Sequence, residues 1–185
     1  MRLVLTESKL LKDSINIISD LVNEVRIKLD NDKLEIIAMD PANVAMVIFK
    51  LLNSAFSEYE VGGEEYFAVN LDNLKQILGR AKPSDSVILS LDNEINRLNI
   101  RIVGESNRNF NLGLIDINES EQKVPELDFL ARIEMNTIVF NEAIEDMDIV
   151  ADSVGLIVKD GKFIVSAEGT TSDAKVEIEK SNETI

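Results

Sequence analysis

The chain has 185 residues, neither cysteine nor histidine, and a formal net charge of −15 at neutral pH. The missing residue types exclude disulfides, thiolate nucleophiles, cysteine zinc sites and a Ser-His-Asp arrangement, and so weigh against most enzymes. A surface this acidic does not hold nucleic acid over its whole extent; any such role needs a local basic face.

The length accommodates one domain or two small ones. No 18-residue apolar run is present, and Met1-Arg2-Leu3-Val4-Leu5-Thr6-Glu7 becomes charged before a signal-peptide core could form, so a soluble, cytoplasmic protein is expected. Charge is unevenly spread. Residues 1–117 hold 13 basic and 18 acidic side chains, whereas residues 118–185 hold 6 and 16.

In chain order, a strand is expected over Arg2 to Thr6, then a helix from about Glu7 to Asn23. Leu10, Leu11, Ile15, Ile18, Leu21 and Val22 follow the 3.6-residue period and predict its buried face, with Ser8 or Thr6 as cap. Strands follow over Val25 to Leu29, Leu34 to Met39 and Val44 to Leu52, with Asn31-Asp32 as a hairpin turn and Asp40-Pro41 as a break. The unit reads βαβββ.

The same order returns: a strand over Tyr66 to Asn70, a helix from Asp72 to Arg80 with Leu74, Ile77 and Leu78 inward, and strands over Ser86 to Leu91, Arg97 to Val103 and Asn109 to Ile115. The segment Arg97 to Ile102 alternates polar and apolar, the mark of a sheet with one wet face. A third copy is expected from a strand over Leu130 to Met135, a helix over Val139 to Ile149, and strands over Ser153 to Val158, Lys162 to Glu168 and Ala174 to Glu179, with Asp160-Gly161 as a hairpin turn. Helix starts near Glu7, Asp72 and Thr137 recur at about 65 residues, which defines a repeat.

The polar segment Asp116 to Glu126, which contains Pro125, reads as an exposed connector. The expected organisation is residues 1–115 as a two-copy domain, 116–129 as connecting loop and 130–185 as an incomplete domain of one copy. Three copies and no fourth are read, and an unpaired copy would expose the apolar side of its sheet and helix, so a chain ending at Ile185 is expected to be unstable alone.

Several motifs in register carry a resemblance: Leu21-Val22-Asn23-Glu24, Ala38-Met39-Asp40-Pro41-Ala42-Asn43-Val44, Val69-Asn70-Leu71 into Lys75-Gln76-Ile77-Leu78, Phe110-Asn111-Leu112, Leu114-Ile115-Asp116-Ile117, Val124-Pro125-Glu126, Lys159-Asp160-Gly161-Lys162-Phe163 and Ala167-Glu168-Gly169. From Met1 to about Lys180 the sequence resembles the proliferating cell nuclear antigen family, the archaeal and eukaryotic DNA sliding clamps, with the C-terminal part missing. The resemblance implies an α+β DNA-clamp fold, with helices lining a ring, usually of three subunits, and sheets outside. It also implies a processivity factor for replication and repair that encircles double-stranded DNA weakly and without sequence preference. DNA polymerase, ligase, flap nuclease and clamp loader would bind it through short interacting peptides.

On that resemblance, Lys9, Lys12, Lys75, Arg80 and Lys82 face DNA. Met39, Val44, Val124, Pro125 and Phe129 form the partner-peptide groove. The strand containing Phe110, Asn111 and Leu112 pairs with that containing Ala174, Lys175, Val176 and Glu177 of a neighbouring subunit. No cofactor or metal is implied, and the isolated carboxylates Asp40 and Asp116 do not make an acid–base pair. An archaeal clamp would lie in the cytoplasm at the nucleoid and a eukaryotic one in the nucleus; cytoplasm is the preferred expectation. The third helix departs from the family pattern with Glu142, Glu145, Asp146 and Asp148. That departure supports an alternative, a clamp-like paralogue or regulatory subunit that does not encircle DNA.

Overall fold

A computed structural model describes residues 1–92, 95–117 and 122–180. The expected connector residues 118–121 therefore lie outside the described residues. The chain forms two compact units, Met1–Val124 and Pro125–Ile185, each with its own apolar core.

In the first unit, β1 (Arg2–Leu5) leads into α1 (Lys9–Ser19), then β2 (Glu24–Leu29), β3 (Lys33–Met39) and β4 (Met46–Leu52). A short 3₁₀ turn, Asn53–Ala55, and a strand not anticipated from sequence, β5 (Glu58–Glu60), close the first repeat. The second repeat is β6 (Glu65–Asn70), α2 (Leu71–Leu78), β7 (Ser86–Asp92), β8 (Arg97–Val103) and β9 (Asn107–Gly113).

The repeats are interleaved rather than side by side. One sheet has the order β5-β1-β7-β8-β9 and the other β4-β3-β2-β6, so each repeat gives its first strand to the other repeat's sheet. In antiparallel register, Leu3 lies opposite Leu89 and Leu5 opposite Val87, while Val25 lies opposite Val69 and Ile27 opposite Phe67. These pairs put apolar side chains on one face of each sheet. Leu11, Ile15 and Ile18 of α1 and Leu71, Leu74 and Leu78 of α2 join them in one core, and the two helices pack against each other.

Local signals explain most boundaries. Asn70 caps α2, its side chain accepting from the Asn73 amide at 3.0 Å. Asp30 Oδ1 accepts from the amides of Asp32 and Lys33 and forms the β2–β3 turn. Three expectations for α1 are corrected. The helix is shorter at both ends, Ser8 makes no side-chain cap hydrogen bond, and Leu10 and Leu21 are exposed. Leu10 lies about 100° round the helix from Leu11, off the stripe centred on Leu11, Ile15 and Ile18.

The second unit contains α3 (Thr137–Asp148), β10 (Gly155–Lys159), β11 (Lys162–Glu168) and β12 (Asp173–Glu179), the strands forming a sheet in that order. Asn136 caps α3 through the Ile138 amide at 2.9 Å. Asp160 and Gly161 both take positive φ, as a two-residue hairpin turn requires. Ala143, Met147, Phe163, Val165 and Ala167 form its small core. The strand expected over Leu130 to Met135 is absent: in the first unit such a strand is held by the other repeat, and here no second repeat is present among the described residues. The third copy is thus αβββ.

Candidate partner groove and nucleic-acid face

The residues expected to face DNA lie on α1, on α2 and just after α2. Lys9 is exposed and Lys12 half-buried near the start of α1. Lys75 of α2 reaches Asp20, just past α1, at 3.4 Å. Arg80 and Lys82 follow α2 and are exposed, with Lys82 paired to Glu105 at 2.9 Å. Among the described residues, Lys9, Lys12 and Arg80 make no ion pair. Asp13, Asp20 and Asp72 are exposed on the same two helices or at their ends, so the face is mixed in charge.

The loop bearing Arg80 and Lys82 is anchored by Asp85, a residue the sequence reading passed over. Its side chain is almost wholly buried. Oδ2 accepts the Lys82 amide at 3.0 Å and Arg108 Nη2 at 2.5 Å, while Arg108 Nη1 donates to the Arg80 carbonyl at 2.7 Å. The Lys82 amide, opposed in part by desolvation and helped by the Arg108 guanidinium, holds the Asp85 carboxyl below its ordinary value. Gly104 is required beside it, because a Cβ there would lie 2.0 Å from Asp85 Oδ1. The signal available in sequence was weak: an Asp shortly after a helix, and a Gly in a hairpin.

The groove residues begin at the end of β3. Leu34, Ile36 and Ala38 point to the core, so Ile37 and Met39 lie on the outer face, opposite Ile48 and Met46 of β4. Beyond Met39, the loop is organised by Asp40. Its Oδ1 accepts the amides of Val44 and Ala45, both at 2.7 Å, and Oδ2 accepts that of Ala42 at 3.2 Å. Asn43 takes φ +57°. The loop carries Val44 outward to 84% exposure. The Ala45 and Val44 amides lower the Asp40 carboxyl below its ordinary value against a smaller desolvation penalty than the bonds together supply.

A cavity of about 70 Å³ adjoins Met39, with Arg26, Ile37, Tyr66 and Ile117 in its lining. Arg26 and Lys28 both lie over the Tyr66 ring, at 5.6 and 5.3 Å from its centroid. Val124, which ends the first unit, is exposed; Pro125 and Phe129 of the second unit are exposed as well. Ile37, Ile48 and Tyr66 were missed in sequence because they read as ordinary strand residues.

The two strands expected at a subunit junction are both sheet edges, β9 of the five-stranded sheet and β12 of the three-stranded sheet. On β9, Leu112 is buried and Phe110 half-buried in their own unit, while Asn111 is exposed and accepts from Asn99 at 2.7 Å. On β12, Ala174 and Val176 pack inward, and Lys175 and Glu177 face solvent. Glu177 accepts from Lys175 and, at 3.0 Å, from Lys162, which lowers its carboxyl to about 2.

Among the described residues no group of three or more acidic residues could hold a metal ion, and no helix is long and apolar enough to cross a membrane.

Two interleaved β-α-β repeats, with their helices packed together against two antiparallel sheets, define an α+β protein of the DNA-clamp fold. The family described as "Proliferating cell nuclear antigen, N-terminal domain" matches residues 1–123. The DNA polymerase sliding clamp of Pyrococcus horikoshii is 38% identical over 160 residues, covering 86% of this chain and 64% of the relative. That of Pyrococcus furiosus is 38% identical over 164 residues, covering 89% and 66%, and that of Thermococcus gammatolerans 36% over 176 residues, covering 95% and 70%. The chain belongs to the proliferating cell nuclear antigen family. It spans just under two thirds of the length of the two Pyrococcus relatives. Solved structures share the fold: the PCNA2-PCNA3 complex from Sulfolobus tokodaii has a TM-score of 0.87 at 24% identity, covering 99% of this chain and 74% of that one. PCNA from Thermococcus kodakaraensis gives a TM-score of 0.87 at 24% identity, covering 100% and 75%.

Proposed function

We propose that this chain is a non-enzymatic sliding-clamp subunit that encircles duplex DNA and recruits a DNA polymerase. The observation that carries this reading is the interleaved first unit, with two packed helices and free edges on its sheets, in a chain that belongs to the clamp family. Residues 116–129 are read as the connector and 130–185 as part of a second clamp domain. β9 of one subunit joins β12 of the next in a three-subunit ring, continuing the outer sheet through backbone hydrogen bonds.

Lys9, Lys12, Lys75, Arg80 and Lys82 turn toward DNA in this reading. A closed ring needs only weak phosphate attraction, because topology prevents escape, so a mixed-charge helix face suffices. Met39 and Val44, with Val124, Pro125 and Phe129, receive short peptides from polymerase, ligase, flap nuclease and clamp loader; methionine suits a groove that accepts many partners. The compartment is the cytoplasm, at the nucleoid.

Loading onto nicked circular DNA by a clamp loader tests the reading. The protein should be retained on the circle and released when the circle is cut; retention on linear DNA would overturn it. One observation favours a second reading, a clamp-like subunit that does not encircle DNA. Glu142, Glu145, Asp146 and Asp148 are all exposed on α3, which has no basic residue. Failure to load in the same assay, with partner peptides still bound, would select it.

A further inference from the structure

The outer face of the β4-β3-β2-β6 sheet carries more than the apolar residues Ile37 and Met39. Val25, Ile27 and Leu29 are buried, so Glu24, Arg26 and Lys28 of β2 point the other way, onto the face where Met39 lies. Most charges there are matched. Glu35 lies 2.8 Å from Lys33 and 3.4 Å from Lys50, and Lys28 pairs with Glu64 at 2.7 Å. Arg26 is exposed and makes no ion pair among the described residues; its guanidinium carbon sits 5.6 Å from the Tyr66 ring centroid. A ring face holds a guanidinium without using its N–H groups, so the donors of Arg26 stay available.

The cavity beside Arg26 limits what those donors can receive. It holds about 70 Å³, is shared with Met39, and is bounded by Ile117 and Gln122 of the same unit. A water takes about 30 Å³ of liquid volume and an apolar cavity that binds benzene about 150 Å³, so this one accommodates the end of one side chain and no aromatic ring. A planar carboxylate fits both that size and the forked N–H groups of an arginine. Glu35 also lines the cavity but is held by its two lysines, which leaves Glu24, exposed at the start of β2, as the competing carboxylate. On a chain of net charge −15 an acidic ligand group is repelled over most of the surface, so an unmatched cation beside the groove singles out one position.

We propose that Arg26, seated on Tyr66, is an acid-reading subsite of the partner groove: it takes one Asp or Glu carboxylate of a bound peptide, from a position flanking the residue that meets Met39. The proposal rests on the peptide-groove reading and adds a charge preference to it. An exposed ion pair of this kind contributes little raw affinity. It fixes the register of the peptide and ranks partners by one flanking residue, because a basic residue at that position meets a like charge.

Fluorescence anisotropy with the full chain at low salt tests this. The probe is a labelled synthetic peptide with aliphatic and aromatic anchors and Ala at every other position, together with a series that places a single Glu at each Ala in turn. At one position Glu should bind about five-fold tighter than Ala, a gain that shrinks as salt is added. Arg26→Gln should abolish the gain, and Arg26→Glu should make Lys the preferred residue at that same position. Arg26 is exposed, so neither change touches the core. If the Ala peptide binds, loses affinity with Met39→Ala, and gains nothing from Glu at any position, the acid-reading subsite is overturned while the groove reading stands. Absence of binding by every peptide overturns both. A Glu gain that survives Arg26→Gln also overturns the proposal, since another cation then reads the acid.

Discussion

Asp40 Oδ1 accepts the backbone amides of both Val44 and Ala45 at 2.7 Å, so one carboxylate sets the loop that lifts Val44 off the sheet. Asp40→Ala should leave both sheets intact and weaken binding of an aliphatic–aromatic partner peptide about ten-fold, because the loop loses its preferred shape before binding. Titration calorimetry with such a peptide measures this. The folded carboxyl sits below the ordinary aspartate value of about 3.9, chiefly through the Ala45 amide. Its contribution is therefore fully present above that value and lost as pH falls through the lower folded one. Amide chemical shifts of Val44 and Ala45 should stay constant from neutral pH to about 4.

Asp85 and Arg108 make a partly buried pair that ties the exit of α2 to β9. Arg108→Ala should lower the melting temperature of the first unit by several degrees, because Asp85 then stays buried without its cation. Gly104→Ala should cost about 1–3 kcal/mol through overpacking against Asp85. Thermal unfolding followed by circular dichroism reads both. If Gly104→Ala melts like the parent, the close approach is relieved without cost and the account fails.

Glu177 titrates low, at about 2, because Lys175 and Lys162 hydrogen-bond its charged form. Its depressed value means that the stabilisation holds above the ordinary glutamate range and disappears only as pH falls through about 2. Carbon-13 NMR of the side-chain carboxyl should follow that curve. Lys175→Ala should raise the midpoint, and an unchanged midpoint would assign the shift elsewhere.

The two cores predict unequal costs for similar truncations. Ile15 is fully buried between the helices and sheets of the first unit, so Ile15→Ala should cost about 2–5 kcal/mol. Leu156, half exposed on the core face of β10, should cost less than about 1 kcal/mol when replaced by Ala, since little apolar area is lost. Chemical denaturation of the two variants compares them.

The amino-acid pattern by itself determined the repeat, the three helices and most strands, because each depends on local periodicity and turn chemistry. Arg97 to Val103 is a strand with the expected limits, Asp160-Gly161 makes the expected hairpin, and Leu74 and Leu78 are buried as the helical period requires. The α+β class and the family followed from motifs in register. Tertiary structure alone decided which strands join. Nothing local tells β1 to pair with β7 rather than with its own repeat, since strand partners are chosen by how two helices and two sheets share one core. The same non-local choice explains why Leu130 to Met135, with a strand-like sequence, is not a strand: its ladder must come from another repeat. It also separates residues that look alike in sequence. Ile27 is sealed by a neighbouring repeat, and Leu156, on the corresponding strand, is left half in water.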